Sequence, residues 1–189
     1  MQFTIPLCPS VNSYNQYKII RRGKRLSIQS YPSLDTEKFY KEAVPIIREA
    51  IKKYGWQTVP KGKFVEVYPT FYMRKAGMDA DNHFKCLNDS LQKAGVVEND
   101  SQIIPRCEDV FIDKDNPRIV VTINISPKIG IFASELHKEE FLKKNCKYCS
   151  KNHLKCICFK GFLENRVHDL EDDYTCKKMN LKRGKITVD

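Results

Sequence analysis

The stretch Phe64-Val-Glu-Val-Tyr-Pro-Thr-Phe-Tyr-Met73 leads through Arg74 to Asp81 into Asn82 to Ala94, and the change of period along it decides the fold class. Its first ten residues are β-branched and aromatic, which suits a pleated, half-buried strand, and Pro69 points to an edge or a bulge. From Asn82 the period becomes helical: Phe84, Leu87 and Leu91 fall on one stripe, and Gly95 is placed for a left-handed cap. A strand that passes through an acidic turn into an amphipathic helix is the unit around which the rest is arranged.

Upstream, Met1 to Leu7 alternates enough for a strand, and Cys8-Pro-Ser-Val-Asn-Ser-Tyr14 breaks it with turn formers. Lys18 to Gln29 reads as a hairpin whose tip, Arg21-Arg-Gly-Lys-Arg25, projects four cations around a permissive glycine. A second helix is expected from Asp35, its N-cap, through Phe39, Ala43, Ile46 or Ile47, Ala50 and Tyr54 to a stop at Gly55. Pro45 should kink that helix or shift its start. Downstream, Ile103 to Asp113 and Arg118 to Ser126 read as two strands joined at Asp115-Asn-Pro117. The fold expected for residues 1–128 is therefore α+β, a mixed α/β layer of a small mixed sheet with two main helices. Ser126 to Gly130 reads as a boundary, and residues 129–189 as a helix near Ser134 to Lys144 followed by a cysteine-rich tail.

The chain of 189 residues is 41% hydrophobic and 30% charged, which excludes a disordered or collagen-like protein and allows one main core plus an appendage. No run approaches the roughly 20 apolar residues of a membrane span, and Met1 to Leu7 lacks the features of a signal peptide, so a soluble intracellular protein with no membrane partner is expected. The net charge of +10 is spread over the whole length, with 20 basic and 14 acidic side chains in residues 1–130 and 13 and 9 beyond them. That balance suits a polyanionic partner, nucleic acid first among them. The hairpin tip is either a phosphate grip or an ordinary solvated turn.

Acids crowd into one place in this basic chain. Met78-Asp-Ala-Asp-Asn-His-Phe-Lys85 is followed by Asn88-Asp89 and by Gly95-Val-Val-Glu-Asn-Asp-Ser-Gln102. Lys85 stands one helical turn beyond Asp81, and Asp89 extends that face. If Gly95 turns the chain back, Asp100 comes within side-chain reach of Asp79 and Asp81; otherwise a partner subunit could supply it. Two or three aspartates with open positions suit a hard dication such as Mg²⁺ in phosphate chemistry, and a nearby lysine can offset transition-state charge. The plainer reading makes Asp81 an N-cap, Asp79 a turn former and Glu98 to Ser101 a solvated loop. His83 reads as structural or solvent-facing and stays outside the candidate site.

Asp79-x-Asp81-Asn-x-x-Lys85, Asn88-Asp-Ser-Leu91, Ala94-Gly-Val-Val and Asn99-Asp-Ser-Gln102 resemble, in order and spacing, the RusA family of Holliday-junction resolvases. Pro9-Ser-x-Asn12-x-x-Tyr14, the basic hairpin, the long first helix and the aromatic strand extend the likeness over about residues 1 to 126. The resemblance implies a homodimeric, Mg²⁺-dependent endodeoxyribonuclease that nicks four-way DNA junctions symmetrically in recombination and repair. Asp79, Asp81 and Asp100 would then be metal ligands and Lys85 the catalytic cation, with 5′-phosphate and 3′-hydroxyl ends as products. Such proteins are common in phages and prophages, so the bacterial cytoplasm is the expected location. The sequence departs from the family at Met78, where arginine is frequent, and at Asn99, where an acid is frequent; Arg74 and Lys75 could restore the charge. Arg21, Arg22, Lys24, Arg25, Arg74 and Lys75 are the candidate DNA contacts. A less selective structure-dependent nuclease and a non-catalytic zinc-dependent DNA-binding protein are the alternatives.

Of 8 cysteines, Cys8, Cys86 and Cys107 are scattered and read as reduced thiols, while five cluster late. Cys146-x2-Cys149, Cys156-x-Cys158 and Cys176 lie in a lysine-rich segment that reads as too poor in apolar residues to build its own core. A structural Zn²⁺ would fold it as a small zinc-ribbon-like module. Cys146, Cys149, Cys158 and Cys176 are the favoured ligands, with Cys156 or His153 as substitutes; disulfides and free thiols are the rivals.

Overall fold

The computed structural model describes residues 1–23, 25–60 and 62–181, with the side chain of Arg22 also outside the description. Contacts divide the chain into two compact units, one formed by Met1–Lys61 and Val65–Ile125, the other by Gly62–Phe64 and Ser126–Asp189.

The first unit is built on a mixed sheet. Its strands are β1 (Gln2–Pro6), β4 (Lys63–Met73), β5 (Ile103–Pro105), β6 (Asp109–Ile112) and β7 (Arg118–Ile129), in the order β1-β7-β4-β5 with β6 also on β4. β1 runs antiparallel to β7, with Phe3 opposite Val121, whereas β5 and β6 both run parallel to β4. The expected α+β class is what the structure shows. Of the two roles expected of Pro69, the edge needs correction: β4 lies between β7 and the β5/β6 pair, so it is an interior strand. β5 pairs with Val65 to Val67 and β6 with Thr70 to Met73, leaving a break where Arg106 to Glu108 loop out. The Pro69 carbonyl accepts from Glu108 N–H on that side, so the missing proline N–H faces the break and deprives no ladder partner. The single strand expected over Ile103 to Asp113 is thereby two short ones.

Two helices cover the sheet. α2 (Leu34–Tyr54) buries Thr36, Phe39, Ala43, Ile47 and Ala50, and α3 (Asp81–Ala94) buries His83, Cys86, Leu87, Ser90, Leu91 and Ala94, each at helical spacing. The N-cap of α2 is Ser33, whose hydroxyl accepts from Thr36 N–H, and not Asp35, which falls in the first turn where an acid still complements the dipole. Pro45 neither ends nor delays α2; it is exposed, so water can take up the carbonyl it frees. Gly55 and Gly95 close the two helices in the left-handed region, as their spacing predicts. Phe71 on β4 is fully buried and meets the Phe84 ring edge-on, which joins the sheet to the first half of α3.

A one-turn helix α1 (Val11–Tyr14), not expected from sequence, leads into the hairpin strands β2 (Asn15–Arg22) and β3 (Arg25–Pro32). These two form their own ribbon, apart from the main sheet. Tyr17, Ile19, Leu26 and Ile28 are all exposed on it, with Ile19 opposite Ile28.

The second unit carries α4 (Glu135–Phe141), continued by a wider turn over Leu142–Cys146, and α5 (Ile157–Leu163). Phe132, Phe141, Cys158, Phe159 and Phe162 form a buried cluster of its own. The expectation of a segment too poor in apolar residues to build a core is corrected here: four phenylalanines suffice for a small one. Beyond Leu163 the described part of the tail has turns and isolated bridges such as Leu170 to Cys176, with no helix or ladder of strands.

Candidate active site

α3 begins at Asp81, and the residue at its N-cap position is Ala80, in helical conformation with no side-chain cap. Asp81 is therefore not the capping residue; it is exposed in the first turn, where the helix dipole favours an acid. Asp79 is also exposed and accepts from the Asn82 side chain at 3.4 Å. His83 is buried, with Nδ1 at 2.6 Å from the Cys8 carbonyl, and burial holds its pKa below the usual value. That places it in the core and excludes the solvent-facing alternative.

Lys85 lies one turn further on. Its Nζ donates to Asp89 Oδ1 at 2.7 Å and to Asp100 Oδ2 at 3.4 Å. Asp100 reaches this helix within the same chain because Gly95, at φ 92°, reverses the direction and Val96 and Val97 bury fully, Val97 bridging Val59. A short 3₁₀ turn, Asp100–Gln102, then presents the carboxylate. Asn99 caps that turn: its side-chain oxygen accepts from Ser101 N–H at 3.0 Å, while the Gln102 side-chain oxygen accepts from Asn99 N–H at 2.9 Å. The Gln102 amide nitrogen is anchored on the carbonyls of Val59 and Pro60.

Asp89 itself is held from behind. Its other oxygen, Oδ2, accepts from the Tyr14 hydroxyl, which lies 2.6 Å from the hydroxyl of Tyr40. The Asp89 ion pair is the main influence raising the Lys85 pKa, and burial, followed by the Asp89 hydrogen bond, raises that of Tyr14. The structure thus brings Lys85, Asp89 and Asp100 into contact. Among the described residues, no three His, Cys, Asp or Glu side chains are grouped so as to hold a metal ion as they stand.

A surface pocket of about 410 Å³, with none of Lys85, Asp89 and Asp100 in its lining, is bordered by Ser10 and Ser13 from the Pro9-to-Tyr14 segment, by Asp35, Lys38 and Glu42 of α2, and by Arg74. Arg74 and Lys75 are exposed, as are Arg21 and Arg25 at the ribbon tip. Lys24 and the Arg22 side chain lie outside the described residues.

In the second unit, Cys146, Cys149, Cys156, Cys158, Cys176 and His153 line one cavity of about 20 Å³. Burial, reinforced by neighbouring thiols, pushes Cys146 and Cys158 up to about 11. Cys158 also shares a hydrogen bond with Asp169, which pairs with Lys178 at 2.7 Å.

The family model for endodeoxyribonuclease RusA matches residues 21–124, more than half of the chain. The chain belongs to the RusA endodeoxyribonuclease family. No curated protein matches it. Membership makes it an enzyme that hydrolyses DNA, and the matched stretch contains Asp79, Asp81, Lys85, Asp89 and Asp100. No helix among the described residues is long and apolar enough to cross a membrane. The tyrosine support of Asp89 escaped the sequence reading, because Tyr14 and Asp89 are 75 residues apart and no local pattern links them.

Proposed function

We propose that this RusA-family enzyme resolves four-way DNA junctions as a Mg²⁺-dependent homodimer, nicking two strands symmetrically in the cytoplasm of a bacterium, from a phage or prophage gene. The observation that carries the reading is that the RusA match takes in Asp79, Asp81, Lys85 and Asp100 together, with Lys85 and Asp100 already in contact.

The donor set fits a hard dication: Asp79, Asp81 and Asp100 offer only carboxylate oxygens, and they would hold Mg²⁺. When bound, such an ion neutralises the scissile phosphate and lowers the pKa of a coordinated water. Lys85 places a point charge beside the same phosphate, where developing negative charge needs it. Arg21, Arg22, Lys24, Arg25, Arg74 and Lys75 would hold the junction by its phosphates, which gives a strongly salt-dependent affinity. The exposed apolar ribbon supports a homodimer, since an isolated two-stranded ribbon is marginal in water and gains from cover. Paired sites at fixed separation suit a substrate with equivalent strands.

In the tail, five cysteines around one small cavity support a structural Zn²⁺ held by Cys146, Cys149, Cys158 and Cys176, with Cys156 as the alternative ligand.

The test is cleavage of a labelled synthetic four-way junction with Mg²⁺ and with EDTA, by the native protein and by Asp81→Asn and Asp100→Asn. The native protein should cut only with the metal, and each variant should lose about 100-fold or more in rate. Folded Asp81→Asn and Asp100→Asn proteins that cut as fast as the native chain sink the assignment.

A further inference from the structure

We infer that Asp89 is a positioning residue for the reaction: its carboxylate, locked by Tyr14 and through it by Tyr40, holds the Lys85 ammonium in the acidic cluster ready to meet a phosphate oxygen. The inference rests on the reading of Lys85 given above and adds what keeps that side chain in place.

The two oxygens of Asp89 have separate tasks. Oδ1 receives the Lys85 ammonium at 2.7 Å, and Oδ2 receives the Tyr14 hydroxyl. Because the single Tyr14 proton goes to Asp89, the 2.6 Å contact between the two phenols has Tyr40 as donor. The chain Tyr40, Tyr14, Asp89, Lys85 therefore has a definite direction and crosses three elements, α2, α1 and α3.

An ordinary i,i+4 pair on a helix surface is weak and fixes little. This pair differs in that the carboxylate side is only 15% exposed and tied from behind, while the lysine is 52% exposed. Lysine otherwise samples many rotamers, so a fixed acceptor at one of its three N–H groups restricts the head group before substrate arrives. A second N–H points to Asp100 at 3.4 Å, and the third is left for a phosphate oxygen. If Asp100 turns to a metal ion, Asp89 still retains the lysine.

The experiment uses the full chain, a labelled four-way junction and saturating Mg²⁺, with Asp89→Asn, Asp89→Glu, Tyr14→Phe, Lys85→Ala and the double variant Lys85→Ala with Asp89→Asn. Asp89→Asn should lower kcat about tenfold or more with KM for the junction held within about threefold, and Asp89→Glu should recover part of the loss. Tyr14→Phe, which removes one hydroxyl and keeps the ring, should lower kcat by a smaller factor in the same direction. In the Lys85→Ala background, Asp89→Asn should add nothing, because the two act as one unit.

Native kcat in folded Asp89→Asn overturns the inference, as does a loss that multiplies with that of Lys85→Ala. Should Asp89→Asn fail to fold by its thermal midpoint, native kcat in Tyr14→Phe overturns it instead. Native kcat in Lys85→Ala sinks the reading of Lys85 itself, a result distinct from the other two.

Discussion

Asn99, which the resemblance sets against an acid, has a structural role here: it caps the 3₁₀ turn that presents Asp100. Aspartate would cap equally well, so the departure leaves the geometry of the turn intact. Asn99→Ala should lower stability by about 1 kcal/mol in a denaturant titration and slow junction cleavage by displacing Asp100, whereas Asn99→Asp should keep both near native. Asp173 gives a residue-scale test in the tail. Thr175 and Lys144 hold its carboxyl down at about 2, below the ordinary 3.8, so the folded form favours the ionised state. The stability this contributes is complete above the unfolded value and is lost as the pH falls from there through about 2. Asp173→Asn should flatten the acid limb of the tail's thermal midpoint against pH in that window; unchanged limbs would show that the contacts are solvated away.

Elements with a strong period were legible from the chain alone. α2, α3, β1, β4 and β7 stand where spacing puts them, because each buries one face against the same core. The failures have local causes. Pro69 reads as an edge or a bulge marker, and the break between β5 and β6 that excludes the edge is a property of pairing, invisible in β4 itself. The tail core was hidden by lysines, although Phe159 and Phe162 at i and i+3 carried a helical signal in α5. Of the site, Asp79, Asp81, Lys85 and Asp100 were singled out by spacing and resemblance; the tyrosines behind Asp89 belong to other elements and were not. Gly130 offers the sharpest test at this scale. It sits at φ 57°, and a Cβ there would lie 2.1 Å from the Phe162 carbonyl oxygen. Gly130→Ala should destabilise the tail by about 1–3 kcal/mol, read from its thermal transition, with the first unit's transition unmoved.

The whole molecule consists of two units with separate hydrophobic clusters, so calorimetry should resolve more than one transition. If the cysteine cavity holds Zn²⁺, a strong chelator that strips it should lower the tail transition alone, while leaving the transition that belongs to the RusA-matched residues in place. Zinc absent from purified protein, with a tail transition indifferent to chelators, would leave the phenylalanine cluster as its sole support. The ribbon of β2 and β3 has a different consequence. Its hydrogen bonds run between its own two strands, and its base is closed by Ser33 N–H on the Tyr14 carbonyl. Residues could be added or deleted in pairs at its tip without shifting the register of any strand in the main sheet. Reach is thus an adjustable quantity in this architecture, open to change across generations while the chemistry beneath it stays put.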